Sequence, residues 1–214
     1  MLGFIGGTGP EGRGLAVRFA LAGERVLIGS RDEARASKAA ERVMAKAPSA
    51  DVAGVPNEDA ARMGDPVFVT VPYAAQHLLL QALRNDLDGK TVVCVVAPVA
   101  FYDGVARAIA VPDGSAALEA QAALPGSTVV AAFQTISGHD LLVPGRPIDS
   151  DVVVCADDEE ARETVMRLAE KIAGVRAING GGLQNAVYVE SFTALLLNIN
   201  RLYKARSAIR IAGI

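Results

Sequence analysis

The first thirty residues leave the chain little freedom. MLGFIG is a short apolar run, and GGTGPEG follows with the spacing Gly7-x-Gly9-x-x-Gly12. A helical pattern then places Leu15, Phe19 and Ala22 on one face and ends at Gly23, after which RVLIGS is a second apolar run. The glycine spacing alone also occurs in plain turns. Here it leaves a strand and opens a helix inside a βαβ unit, the context in which unpaired helix N–H groups receive an anion. Gly7 is expected to permit the tight turn, Gly9 to let the backbone approach a pyrophosphate, and Gly12 to let helix pack on strand. A Walker loop is excluded, because no Gly-Lys-Ser/Thr follows.

The alternation continues downstream. A helical pattern over Arg31–Ala47 precedes a weak strand at 51–55, and Asn57 is placed to cap a short helix through Met63. PVFVTV, TVVCVVAP and STVVAAFQTI are further strands, separated by a helix over Ala74–Leu87 and a loop-rich stretch from Phe101 to Gly114. Near-continuous apolar strands separated by helices indicate a parallel sheet covered on both faces. The expected class is therefore α/β, a doubly wound Rossmann-type dinucleotide-binding fold over residues 1–138. Residues 139–214 read as an appendage folded onto it: the strand VVVCAD, a helix Glu159–Ala173 started by Asp157-Asp158, and a long helix over Leu183–Tyr203. Apolar residues nearly encircle that last helix, as expected of a small helical cap that closes a substrate cleft and meets a second subunit.

Composition narrows the partners. The 214 residues are 51% hydrophobic with a formal net charge of −3, and ten aromatics and scattered basic residues offer nucleic acid no platform. No apolar run approaches the roughly 20 residues of a membrane span, and no secretory leader is evident, so a cytoplasmic location is expected. Cys94 and Cys155 lie in β-branched runs and read as buried thiols of a reducing compartment. With His77 and His139 the only histidines, no metal site is expected.

The end of the second strand identifies the nucleotide. A site for NAD shows Asp or Glu there to bind the ribose hydroxyls, whereas this chain shows Ser30-Arg31, with Arg35 one turn later. A hydroxyl and planar cations suit a 2′-phosphate, so NADP is expected over NAD. Ser30-Arg31-Asp32-Glu33 also reads as a capping box opening the second helix, which is compatible with an anion site. There is no Tyr-x-x-x-Lys pair, no His–Asp relay and no candidate catalytic lysine, so no catalytic residue is assigned. Hydride exchange between two carriers needs none, because orientation is the protein's main task.

GGTGPEGRGLA, IGSRDEAR, NEDAA, VTVPY, VVAPV and LQNAVYVESFTALLLNINRLYKARSAIRIAGI together resemble the NADPH-dependent F420 reductases (F420H2:NADP oxidoreductases) over nearly the whole chain. The resemblance implies hydride transfer between NADP(H) and the deazaflavin coenzyme F420, by a homodimer. It also implies site residues. Thr8, Gly9, Pro10 and Glu11 would line the pyrophosphate loop, and Ser30, Arg31 and Arg35 the 2′-phosphate site. Val71, Pro72, Ala97 and Pro98 would meet ribose and nicotinamide. Phe133 to Gly138, with Gln134, Ile136, Ser137 and Gly138 positioning the rings, would line the transfer cleft. Gln134 stands where the family pattern often has His, and Gly181-Gly182 where Gly-Pro-Leu is common. Both departures fall on the acceptor's side. The residues alone also admit a reductase of an ordinary flavin, or an NADP-binding sensor without turnover.

Overall fold

The computed structural model describes residues 1–214. The first half runs β1 (Leu2–Ile5), α1 (Pro10–Leu21), β2 (Val26–Ser30), α2 (Glu33–Met44), β3 (Val52–Pro56), α3 (Asn57–Met63), β4 (Val67–Val69), α4 (Tyr73–Ala82) and β5 (Thr91–Cys94). There follow β6 (Val99–Tyr102), β7 (Val105–Ala108), α5 (Ala116–Ala123), β8 (Thr128–Ala131) and α6 (Gly138–Leu141). The chain closes with β9 (Ser150–Val154), α7 (Glu159–Glu170), β10 (Val175–Asn179), a 3₁₀ turn at Leu183–Asn185 and α8 (Ala186–Tyr203).

Six parallel strands form the main sheet in the order β3-β2-β1-β4-β5-β8, the doubly wound arrangement expected from the alternating runs. β1, β2 and β4 are buried along their whole length, which is why they read as continuous apolar runs. On one face Phe4 stacks on Phe68 with centroids 4.7 Å apart, and Phe19 and Phe133 complete an aromatic group. On the other face Ile5, Leu27 and Val69 pack against Leu80, Leu83 and Leu87.

The C-terminal part continues this body. β9 and β10 pair in parallel, and Ala131 and Cys155 exchange backbone hydrogen bonds of 2.8 and 3.0 Å in antiparallel sense, joining the pair to the edge at β8. Val152, Val154 and Val165 share a core with Phe4 and Phe19. Asp151, fully buried, fastens the last residues: Arg176 and Arg210 donate to its carboxylate, as does the Ile211 N–H. Those bonds hold its pKa well below the usual carboxylate range, Arg176 contributing most.

Three local expectations are corrected. The capping box at Ser30 does not form: Asp32 is the N-cap and accepts from the Arg35 N–H at 3.1 Å, so α2 starts at Glu33. The Ser30 hydroxyl instead accepts from the Asp32 N–H at 3.2 Å, because an adjacent carboxylate takes the capping place. The stretch expected as a loop contains a hairpin, β6–β7, turning through Asp103 and Gly104 at φ 49° and 75°. Two successive left-handed residues are what a tight hairpin turn requires, and Asp-Gly supplies them. Asn198 of α8 then pairs with Ala106 of β7, accepting from its N–H at 2.9 Å and donating to its carbonyl at 2.8 Å. Finally, Asn57 does not cap α3. Pro56 stands at that position, and the Asn57 side chain is used elsewhere.

Candidate active site

The glycine turn is held by missing atoms. Gly6, not Gly7, takes the left-handed conformation, at φ 68°. Its N–H donates to Asn57 Oδ1 at 2.9 Å, so the expected helix cap is a buried strut under the turn. A Cβ on Gly7 would lie 2.8 Å from Phe4 Cβ, and one on Gly12 would lie 2.7 Å from both Gly7 Cα and Thr70 Oγ1. Gly7 and Gly12 are thus packing glycines. Gly9 differs: a Cβ there would meet nothing within 4 Å. Gly9 is the N-cap of α1, no side chain caps the helix, and Pro10 follows at the first position. The N–H groups of Gly9, Glu11 and Gly12 have no partner in the chain, and they lie at the positive end of a helix. A nucleotide's pyrophosphate fits this cradle.

At the end of β2, Ser30 is buried while Arg31 and Arg35 are exposed, and neither guanidinium is paired with a carboxylate of the chain. Because β2 neighbours β1 in parallel, the residues that follow it share the sheet edge with the glycine turn. Val71 and Pro72 follow β4, with Val71 Cγ1 filling the space a Gly6 side chain would need, and Ala97 and Pro98 follow β5. All lie at the C-terminal ends of parallel strands, the edge where such sheets bind ligands.

The segment after β8 closes the site. Phe133 is left-handed at φ 73° although its ring is buried, and the chain reverses there into Gln134–Gly138. The Gln134 side chain does not project into the cleft as expected. It is buried, donates to the Cys94 carbonyl at 3.0 Å, and leaves Oε1 without a partner. Thr193 of α8 donates to the Gln134 carbonyl at 3.0 Å. Ile136 is also buried, whereas Ser137 and Gly138 are half-buried, and Ser137 caps α6 by accepting from the Asp140 N–H at 3.3 Å. Gly138 sits directly on α1, where a Cβ would approach Glu11 Oε2 to 2.6 Å. The glycine turn and the expected transfer segment therefore touch. Burial pushes the Glu11 carboxyl up to about 8, which favours its protonated form, and its Oε1 has no partner.

Sequence reasoning missed several residues that set this geometry. Buried Arg18 on α1 donates to the carbonyls of Asp140, Leu141, Val143 and Arg146 at 2.7–2.9 Å, fixing the loop after α6. Glu190 on α8 is buried and accepts from the N–H groups of Ala116 and Ala117 at 2.7 and 3.0 Å, at the start of α5. Burial raises its pKa to about 7 against the pull of those two bonds. The signal available was one charge inside an apolar stretch, Arg18 between Val17 and Phe19 and Glu190 in VYVESF. Cys94 and Cys155 are buried free thiols, as expected, and His77 and His139 are both exposed. No helix is long and apolar enough to cross a membrane.

Six parallel strands in this order, with an uncapped glycine turn between the first strand and its helix, define a Rossmann-like α/β protein. Comparison with known proteins places it further. The family described as NADP oxidoreductase, coenzyme F420-dependent, matches residues 1–98. An F420-dependent NADP reductase of Methanothermobacter thermautotrophicus is 44% identical over 98% of this chain and 91% of its own length. That of Methanocaldococcus jannaschii is 38% identical over 100% and 98%. A crystal structure of a proposed F420-dependent NADP reductase from Arthrobacter sp. FB24 covers 99% of each chain with a TM-score of 0.85 at 23% identity, a likeness of fold. The chain belongs to the F420-dependent NADP reductase family.

Proposed function

We propose that this enzyme transfers a hydride between NADPH and coenzyme F420. The observation that carries the reading is the contact of Gly138 with Glu11, which joins a phosphate cradle to a second wall in one cleft, in a chain whose relatives over nearly their full length are F420-dependent NADP reductases. When bound, NADPH supplies the hydride at its nicotinamide C4. The remaining work belongs to the chain. The N–H groups of Gly9, Glu11 and Gly12 receive the pyrophosphate, and the proton on Glu11 keeps a negative charge from forming beside it. Ser30, Arg31 and Arg35 receive the 2′-phosphate. Val71, Pro72, Ala97 and Pro98 flank the ribose and nicotinamide, and Ile136, Ser137 and Gly138 form the opposite wall. Gln134 acts by holding that wall to β5 through Cys94. With no acid–base pair on the walls, the protein contributes orientation and exclusion of water.

The apolar stripe of α8 supports a homodimer. Tyr188, Phe192, Leu195 and Leu202 are exposed along one side, while Ala194 and Leu196 face the core. A second copy covering that stripe gives it the burial that its composition demands. Buried thiols and the lack of a spanning helix agree with a cytoplasmic enzyme. The direct test mixes purified protein with NADPH and F420 and follows the deazaflavin's visible band, with NADH and FMN as controls. Bleaching with NADPH and F420 alone is expected. Turnover of FMN with F420 untouched would replace the acceptor, and saturable NADPH binding without any turnover would point to a sensor. Sedimentation of the parent protein as a monomer would remove the dimer.

A further inference from the structure

Glu190 on α8 is a buried carboxylate to which the reaction so far assigns no task. Its two oxygens accept from the Ala116 and Ala117 N–H groups at 2.7 and 3.0 Å. Those groups open α5, and Ser115 satisfies the next by accepting from the Leu118 N–H at 3.1 Å. A carboxylate that spans two N–H groups at a helix start uses both oxygens and its charge. From there a circuit of hydrogen bonds returns to α8. Gln76 of α4 donates to the Ala116 carbonyl at 2.9 Å and accepts from Cys94 Sγ at 3.5 Å. The Cys94 carbonyl accepts from Gln134 at 3.0 Å, and the Gln134 carbonyl accepts at 3.0 Å from Thr193, one turn beyond Glu190. Every member but Thr193 is buried. The circuit runs behind both proposed walls: α4 begins directly after Val71-Pro72, β5 ends shortly before Ala97-Pro98, and Gln134 leads into Ile136–Gly138. A cavity of about 380 Å³ lies alongside, lined by Pro98 and Gly114 as well as by Glu190 and Ser191.

We propose that Glu190 is a positioning residue for hydride transfer: its charged carboxylate closes the circuit that sets the spacing between the nicotinamide side and the wall after β8, and its protonation opens that circuit. The proposal rests on the reading of these walls as donor and acceptor sides. A protonated carboxyl carries a donor on one oxygen, so one of the two α5 N–H groups loses a good partner in a buried place. A small misplacement of the reacting atoms then slows transfer strongly while each carrier still binds. The surroundings set where this happens. Burial raises the Glu190 pKa most, the Ala116 and Ala117 N–H bonds oppose it, and Glu119 of α5 adds a smaller rise, to about 7. The other titratable groups facing it are Tyr73 of α4, Cys94 of β5 and Cys155 after β9, none of them a cation. On the hairpin packed against α8, Asp103 sits at the turn and Arg107 is exposed, 5.5 Å over the Tyr102 ring.

Single-turnover mixing of NADPH-loaded enzyme with F420, followed at the deazaflavin's visible band across pH, tests this. Glu190→Gln is expected to slow hydride transfer about tenfold at about pH 8.5, with steady-state KM for both carriers within about twofold of the parent's. At about pH 5.5 the parent should slow to the variant's rate, because its own Glu190 is then protonated. Thr193→Val opens the circuit without touching a charge. It should converge with the parent in the same way, and it carries the test if Glu190→Gln does not fold. Taking the ratio of rates at each pH cancels the ionisations of the carriers themselves. A reduced rate whose ratio stays constant with pH would make Glu190 a structural support only and overturn the proposal, as would a ratio of one throughout. No bleaching of F420 by the parent enzyme at any pH would instead overturn the functional reading beneath it, a result that involves no variant.

Discussion

The two walls of the cleft are built by opposite means. The nucleotide side, from Gly3 to Gly12, is shaped by what its residues lack: at Gly3, Gly6, Gly7 and Gly12 a single added carbon would collide with neighbouring atoms. The side proposed for the acceptor, the segment after β8, is shaped by side chains reaching far along the sequence to bind backbone. Arg18 bridges more than a hundred residues, Gln134 reaches Cys94, and Thr193 reaches Gln134. A wall made of close backbone approaches permits almost no change. A wall held by long side chains can change its surface residues while the supports stay in place.

The largest expected effect breaks the first wall. Gly12→Val drives side-chain atoms into Gly7 and Thr70 and should cost at least about 3 kcal/mol, read as loss of folded protein or of Tm. Gly9→Val is its counterpart: with open space around Gly9, Tm should hold while NADPH binding disappears, because the added side chain occupies the approach to the cradle. Retained binding would refute the cradle. Next comes the second wall. Arg18→Ala removes the donors of four carbonyls and should destabilise by about 3 kcal/mol, with KM for F420 rising more than KM for NADPH. Equal rises would erase the distinction between the walls.

Smaller effects sharpen the comparison. Arg31→Ala should raise KM for NADPH about tenfold and narrow the preference over NADH, with Tm unchanged because Asp32 alone caps α2. The smallest is a pH effect at the seam. The Glu11 carboxyl, at about 8 in the fold against 4.5 ordinarily, keeps its proton where the unfolded chain has lost it. Its contribution therefore makes stability fall as pH rises from about 4.5 to about 8, and levels off above. NADPH affinity should weaken as pH passes about 8, when a carboxylate forms beside the phosphates. Glu11→Gln should flatten both profiles, and unchanged profiles would show that Glu11 titrates in the fold as it does in the unfolded chain.

The same division explains what could be read in the sequence. The strands, the phosphate turn and the arginines after β2 are encoded within stretches of a few residues, as apolar runs, glycines and a strand end. Their positions emerged from local pattern. The struts did not, because a bond from Asn57 to Gly6 or from Glu190 to Ala116 joins segments tens of residues apart and leaves no period in the chain. Gln134 shows the limit well: its place after β8 was legible, but its inward direction depends on where the end of β5 falls. The hairpin had a local signal in Asp103-Gly104, but half-exposed flanks such as Phe101 and Tyr102 blur the alternation that would announce strands.

Phe133 narrows the routes by which such a site can change over time. Its backbone favours glycine, yet glycine would leave a hole among Phe19 and Phe68, and a smaller apolar residue would keep the strain while losing the packing. Neither demand can be met without breaching the other, so single substitutions at this position lead downhill in either direction. Change in the segment after it must go around it, through half-buried positions such as Ser137, while the reversal of the chain stays where the aromatic core holds it.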